Sequence, residues 1–294
     1  MKVRFAVAPG AGAPETDLET FADVLETSGF DGVWLSDLPA GPLVDPLIGL
    51  ALIAGRSRRL KLGANLVPLG RNPFLLAKAL AHLDQLSRGR LLLSFVTGVG
   101  QPDEAQVLGT DGANRGVVLE EIIALLRSWW AGDTVDHESA RWSFASLMAP
   151  VRPVQQPLEI WLGGRGPKAL DRVGRIADGW LGAALTPEEA VVACEQIRDS
   201  AVRAGREVDP EHFGLSIAYA REAPDPLLLE TMRKRRDDID PLELLPVGAP
   251  ALRLLLERHI DAGLSKFVVR PAGPVSSWAE EIDWLAAAIL DLQS

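Results

Sequence analysis

The chain has 294 residues, with 40 acidic against 30 basic side chains and a net charge of −10, which excludes the basic face that nucleic acid or an anionic membrane would need. Its apolar runs, such as residues 47–54 and 285–290, fall far short of the roughly 20 residues that cross a bilayer. The opening residues meet Pro9 and Gly10 before any signal-like apolar run develops, and a cytoplasmic protein is expected.

From there, short β-branched or leucine-rich runs alternate with longer amphipathic ones to the end of the chain. The patterns predict strands at 3–8, 32–36, 60–66, 90–96, 158–163, 179–183, 213–220 and 266–270. Between them they predict helices at 15–28, 46–56, 73–86, 114–130, 167–177, 187–204, 249–262 and 277–290. Asp45-Pro46, Asn72-Pro73 and Thr186-Pro187 pair a strong N-cap with proline at the first helical position, and Gly166-Pro167 repeats the proline without the cap. Gly29, Gly205 and Gly263 follow apolar helix ends as stop signals. Eight β-then-α units imply one α/β domain over residues 1–294, a (β/α)8 TIM barrel. An insertion after the fourth helix, about 131–156, is too long for an ordinary connection and is expected to form a lid or barrel cover. A second long connection covers about 223–247.

In such barrels the active site lies at the C-terminal strand ends, so the turns there are the places to search. The fifth strand runs into Gly163-Gly164-Arg165-Gly166-Pro167 and a helix. Glycines allow close backbone approach, the free N–H groups of a helix start attract an anion, and Arg165 and Lys168 add positive charge. A phosphate site fits that turn, and so does a tight βα turn without a ligand. After the fourth strand, Thr97 and Gly98 supply a hydroxyl and a flexible backbone; after the third, Asn65 and Arg71 supply an amide and a guanidinium. Asp37, after Ser36 at the second strand's end, sits where a polar catalytic or cofactor-contacting group belongs, or serves as a turn aspartate.

Other chemistry is poorly provided for. No His/Asp/Glu cluster has metal-ligand spacing, and no Gly-x-Ser-x-Gly elbow is present. His82 and His259 lie within helical patterns, His212 precedes a strand and His137 falls in the insertion. Cys194, the single cysteine, reads as a packed core thiol, and Arg233–Arg236, followed by Asp237 and Asp238, reads as a solvated charge run.

Taken together and in order, these turns resemble the bacterial luciferase-like monooxygenase superfamily, and within it the deazaflavin (coenzyme F420)-dependent oxidoreductases of actinobacterial type. The resemblance rests on residues 28–37, 62–68, 72–78, 83–90, 161–170 and 175–180. It implies coenzyme F420, or FMN as the alternative, across the barrel mouth with its phosphate at Gly163, Gly164, Arg165 and Gly166. It further implies contacts from Ser36, Asn65, Leu66, Thr97 and Gly98, a catalytic role for Asp37, a small-molecule substrate, and a homodimer. A bulge with a non-prolyl cis peptide at Asn65-Leu66 also follows from it. Leu38 stands where many relatives carry histidine, and Val99 where sugar-phosphate-oxidising relatives carry glutamate, so neither of those proton-transfer groups carries over. Hydride transfer to an activated C=C or C=N bond, FMN-dependent monooxygenation, and a non-catalytic cofactor-binding homologue are the readings the resemblance leaves open.

Overall fold

The computed structural model describes residues 1–10, 17–110 and 112–294. Eight parallel strands close into a barrel: β1 (Arg4–Val7), β2 (Gly32–Ser36), β3 (Lys61–Leu66), β4 (Leu91–Phe95), β7 (Ile160–Gly163), β8 (Gly179–Ala183), β9 (Phe213–Tyr219) and β10 (Lys266–Pro271). The ring order is β1-β10-β9-β8-β7-β4-β3-β2, so consecutive barrel strands are neighbours and β1 pairs with β10 to close it. β5 (Thr134–Glu138) and β6 (Ser143–Met148) form a separate antiparallel hairpin.

The outer layer contains α1 (Leu18–Ser28), α2 (Pro46–Arg56), α3 (Pro73–Ser87), α5 (Arg115–Ala131), α6 (Pro167–Ile176), α7 (Pro187–Arg203), α10 (Gly248–Asp261) and α11 (Trp278–Ile289). Their starts follow the local chemistry read above. The Asp45 carboxylate accepts from Leu47 N–H at 2.8 Å, Asn72 accepts from Phe74 N–H at 3.0 Å, and Thr186 with Glu189 completes a capping box. Gly166 caps α6 with no side chain. α1 begins after the Asp17 cap, and positions 15 and 16 of the expected helix lie outside the described residues. Three helices were not anticipated: α4 (Pro102–Leu108), α8 (Pro226–Arg235) and α9 (Pro241–Leu244). Each is short and occupies a loop whose apolar pattern is too brief to read.

Strand alternation separates two cores. Side chains facing outward, including Phe5, Leu62, Leu66 and Phe95, pack with the helices in the main core. Ala8, Trp34, Leu181 and Val268 fill the barrel interior. The Trp34 indole lies directly over Gly63, where an added Cβ would fall 1.9 Å from a ring carbon. Gly63 is therefore what makes room for the large ring inside the barrel.

The insertion does not cover the barrel mouth as expected. Its hairpin packs against the outside of α5: Phe144 meets Trp129 edge-on with ring centroids 5.3 Å apart, and Trp129 Nε1 donates to the Leu147 carbonyl at 3.0 Å. Burying the Trp129 face against Phe144 holds the hairpin along the side of the barrel, and its tip reaches the loops at the strand ends, where Arg141 donates to the Gly109 carbonyl at 3.2 Å. His137 pairs there with Glu121 on α5 at 2.7 Å.

Candidate active site

Parallel register brings the strand ends to one level. Ser36 pairs with Asn65, Leu66 with Phe95, Phe95 with Leu162, and Gly163 with Leu181. Above them opens a cavity of about 370 Å³, into which Ser36, Asp37, Asn65, Gly163 and Gly164 all face. Leu38, Val44, Val96 and Val99 give it an apolar wall, and Ser216, Arg235 and Arg270 add polar groups from the far side. Leu38 and Val99 thus both line the mouth cavity.

The remaining expected residues lie elsewhere. Leu66 alternates to the helix side and is fully buried in the main core, so only its backbone is near the mouth. Thr97 and Gly98 are outside the cavity wall. The Thr97 carbonyl accepts from Arg115 at 3.2 Å, and a Cβ on Gly98 would meet the Glu104 carboxylate at 2.5 Å. Glu104, which the sequence reading passed over, organises this loop. It is 2% exposed, accepts from Val99 N–H at 3.0 Å and Gly100 N–H at 2.8 Å, and pairs with Arg115 at 2.9 Å. A carboxylate four positions after the second glycine of Gly98-Val99-Gly100, at the start of a short acidic helix, is the signal that could have found it.

The expected bulge and cis peptide at Asn65-Leu66 are absent. The cis bond among the described residues is Gln156–Pro157. β3 keeps its ladder with β4 through Leu66, and the backbone carbonyls are already used: Asn65 accepts from Asp37 N–H at 2.7 Å and Leu66 from Val96 N–H at 3.0 Å. An unbroken ladder leaves no extra residue to form a bulge.

Asp37 is held by one oxygen. Its Oδ2 accepts from Val67 N–H at 3.1 Å and from Arg71 at 3.0 Å, while Arg71 also reaches Asp45 at 2.9 Å. Among the described residues Oδ1 has no partner. Burial pushes the Asp37 carboxyl above the usual aspartate range, outweighing the nearby Arg71 charge. A carboxyl of that kind, fixed on one side and open on the other, can hold or release a proton at the cavity wall.

The turn after β7 is exposed from Gly164 to Lys168. Gly164 has φ +107° and its carbonyl accepts from the Trp180 indole at 2.9 Å, which turns the chain sharply into α6. Among the described residues, the N–H groups of Arg165, Gly166 and Lys168 donate to nothing. Arg165 reaches the Arg235 carbonyl at 3.5 Å, bringing the end of α8 over the turn. Open amides, a helix start and the Arg165 guanidinium fit a phosphate group.

The charge run behind Arg235 is not wholly solvated. Arg236 is 4% exposed and pairs with Glu189 at 2.7 Å and Asp238 at 2.8 Å, because it pins the long connection to the start of α7. Among the described residues, no group of three or more His, Cys, Asp or Glu side chains converges on a metal position, and no helix is long and apolar enough to cross a membrane. Cys194 is buried, and burial pushes its thiol up to about 11.

Comparison with known proteins places this architecture. Over 208 residues the chain is 29% identical to a 5,10-methylenetetrahydromethanopterin reductase of Methanolobus tindarius, covering 70% of this chain and 61% of that protein's length. The structure of the coenzyme F420 dependent tetrahydromethanopterin reductase from Methanopyrus kandleri matches with a TM-score of 0.79 at 19% identity, over 100% of both chains. A monooxygenase from Streptomyces bottropensis matches with a TM-score of 0.76 at 22% identity, over 98% of this chain and 99% of that one. At such identities these two structures speak for the fold alone, the closed (β/α)8 barrel. The sequence profile of the luciferase-like monooxygenases matches residues 1–237, and the chain belongs to that family.

Proposed function

We propose that this chain is an oxidoreductase that binds coenzyme F420 with its phosphate against residues 163–167 and moves a hydride between the cofactor and a small organic substrate. One observation carries the reading: the exposed glycine turn, with its open amides, is continuous with the cavity that holds Asp37 and Asn65. The similarity to a methylenetetrahydromethanopterin reductase supports it. The deazaflavin, when bound, supplies two-electron hydride chemistry. The chain's own residues bind and shape. The turn amides and Arg165 hold the phosphate, Asn65 and Ser36 offer hydrogen bonds at the strand ends, and Leu38, Val44 and Val96 keep water from the reacting face. Asp37, through Oδ1, holds the proton that accompanies hydride transfer. Membership of the luciferase-like monooxygenase family favours a second reading, FMN in the same position with O2 as co-substrate.

Titration with F420 and with FMN, followed by cofactor absorption, separates the two: micromolar F420 binding with much weaker FMN is expected, and the reverse selects the monooxygenase. The phosphate position has its own test in Gly166→Asp. Gly166 has φ −77°, and an added Cβ there meets nothing within 4 Å. An aspartate would cap α6 and stabilise the fold by a few tenths of a kcal/mol, while its carboxylate takes the anion's place. The expected result is at least tenfold weaker cofactor binding with an unchanged or raised Tm. Unaltered affinity removes the phosphate from this turn. A homodimer is part of the proposal, and light scattering on the purified chain checks it.

A further inference from the structure

Charges in this protein are mostly matched. Arg56, Arg71, Arg115, Arg175, Arg236 and Arg253 each lie within 3.2 Å of a carboxylate oxygen. Arg235 and Arg270, which both line the mouth cavity, are not paired in this way among the described residues, and of the two Arg270 belongs to a barrel strand. It lines the mouth cavity, yet among the described residues it has no ion pair and no hydrogen bond. Arg270 is half-buried, and a guanidinium held partly out of water without a counter-charge is favoured by an anionic ligand.

Its place in the barrel separates that anion from a phosphate at the turn. Arg270 lies two residues beyond Val268, whose side chain is packed in the barrel interior, so strand alternation points Arg270 to the same inner face. Ser216 of the neighbouring β9 faces the same space. The turn at 163–167 instead lies exposed at the rim, three strands away around the ring. A phosphate on the rim and a charge held at the inner face are separate demands. Burial and the proximity of Arg235 both push the Arg270 guanidinium down from its ordinary range, so an anion beside it would be favoured. Besides the polar Ser36, Asp37 and Asn65, the cavity wall carries Leu38, Leu43, Val44 and Val96, which suit an apolar body.

We infer that the substrate of this cavity is an organic acid with an apolar body, its carboxylate paired with Arg270 and its body against the leucine and valine wall. This rests on the mouth being the reacting site, as proposed above, and names its substrate class. Arg270 is then the residue that selects acids over their neutral analogues and orients them against the cofactor.

Benzoate and benzamide, equal in shape and different in charge, serve as probes. Their binding is measured by calorimetry on the wild-type chain, on Arg270→Met, which keeps an apolar stem of similar length, and on Arg270→Lys, which keeps the charge. Each is measured with and without F420, and thermal unfolding checks that the variants are folded. Wild type is expected to bind benzoate at least tenfold more tightly than benzamide. Arg270→Met brings the two within about twofold, Arg270→Lys keeps part of the preference, and F420 affinity in Arg270→Met stays within about threefold of wild type. The inference is overturned if benzoate binds no better than benzamide, both being silent included, or if the preference survives in Arg270→Met. It is equally overturned if Arg270→Met loses F420, since Arg270 then serves the cofactor. Should the wild type bind neither F420 nor FMN, the functional proposal fails by itself, and the cofactor-free comparison of benzoate with benzamide still decides the role of Arg270.

Discussion

Asp37 divides its work between two oxygens. Oδ2 braces the loops after β2 and β3 through Val67 and Arg71, and Oδ1, on a side chain that lines the cavity, has no partner among the described residues. As Arg71 also bonds Asp45, one guanidinium ties both loops to the start of α2. Because burial raises the Asp37 pKa, the protonated acid persists to higher pH than in an ordinary aspartate. If that proton is the one delivered, the rate at saturating substrate falls as pH rises through the Asp37 pKa. Asp37→Asn, close in shape, is expected to lower kcat by about a hundredfold and to leave cofactor affinity nearly unchanged. Steady-state rates against pH for both proteins check this, and a flat wild-type profile with an active Asn variant assigns Asp37 to loop bracing alone.

At the scale of elements, the loop from β4 to α5 shows how the mouth is kept in shape. Glu104 at the start of α4 gathers two loop amides and Arg115 at the start of α5, so a segment with little hydrophobic core of its own is held by charge-assisted bonds. Val99 faces the cavity only because that network fixes residues 97–100. Glu104→Gln keeps the shape but leaves Arg115, whose side chain is 19% exposed, without its counter-charge. A loss of about 3 kcal/mol is expected, measured by urea denaturation. A change within experimental error would mean the loop is held by packing instead. α8 is built differently: none of its residues is buried, and its last residue, Arg235, reaches the cavity.

For the whole molecule, acid is the stress the structure singles out. His259 on α10 is fully buried, with both ring nitrogens unpartnered among the described residues, and burial pushes its imidazole down to about 4. Between the ordinary value of 6.5 and about 4, the unfolded chain binds a proton there that the folded chain refuses. Stability therefore falls as pH drops through that window, by roughly 3 kcal/mol from this one group. Replacing it, as in His259→Leu, is expected to remove that share of the loss between neutral pH and pH near 4. Denaturation midpoints for both proteins at the two pH values check the sign; equal losses in the two proteins would place the sensitivity elsewhere.

The sequence by itself determined the barrel. Eight strands and eight outer helices, with the caps at Asp45, Asn72 and Thr186, were legible because periodicity and capping are properties of neighbouring residues. Ser36, Asp37, Asn65, Gly163 and Gly164 were also legible, since a strand's C-terminal end in this fold is a position known from chain order. Tertiary structure alone decided the rest. Inward or outward orientation put Leu66 into the outer core and Arg270 into the cavity, and a shift of one residue along a strand reverses that choice. The placement of the hairpin on α5, the buried Arg236, and Glu104 beneath the β4 loop each depend on partners distant in the sequence or on the path of an irregular loop. No local pattern encodes such meetings, because they follow from the closure of the barrel, which brings those surfaces together.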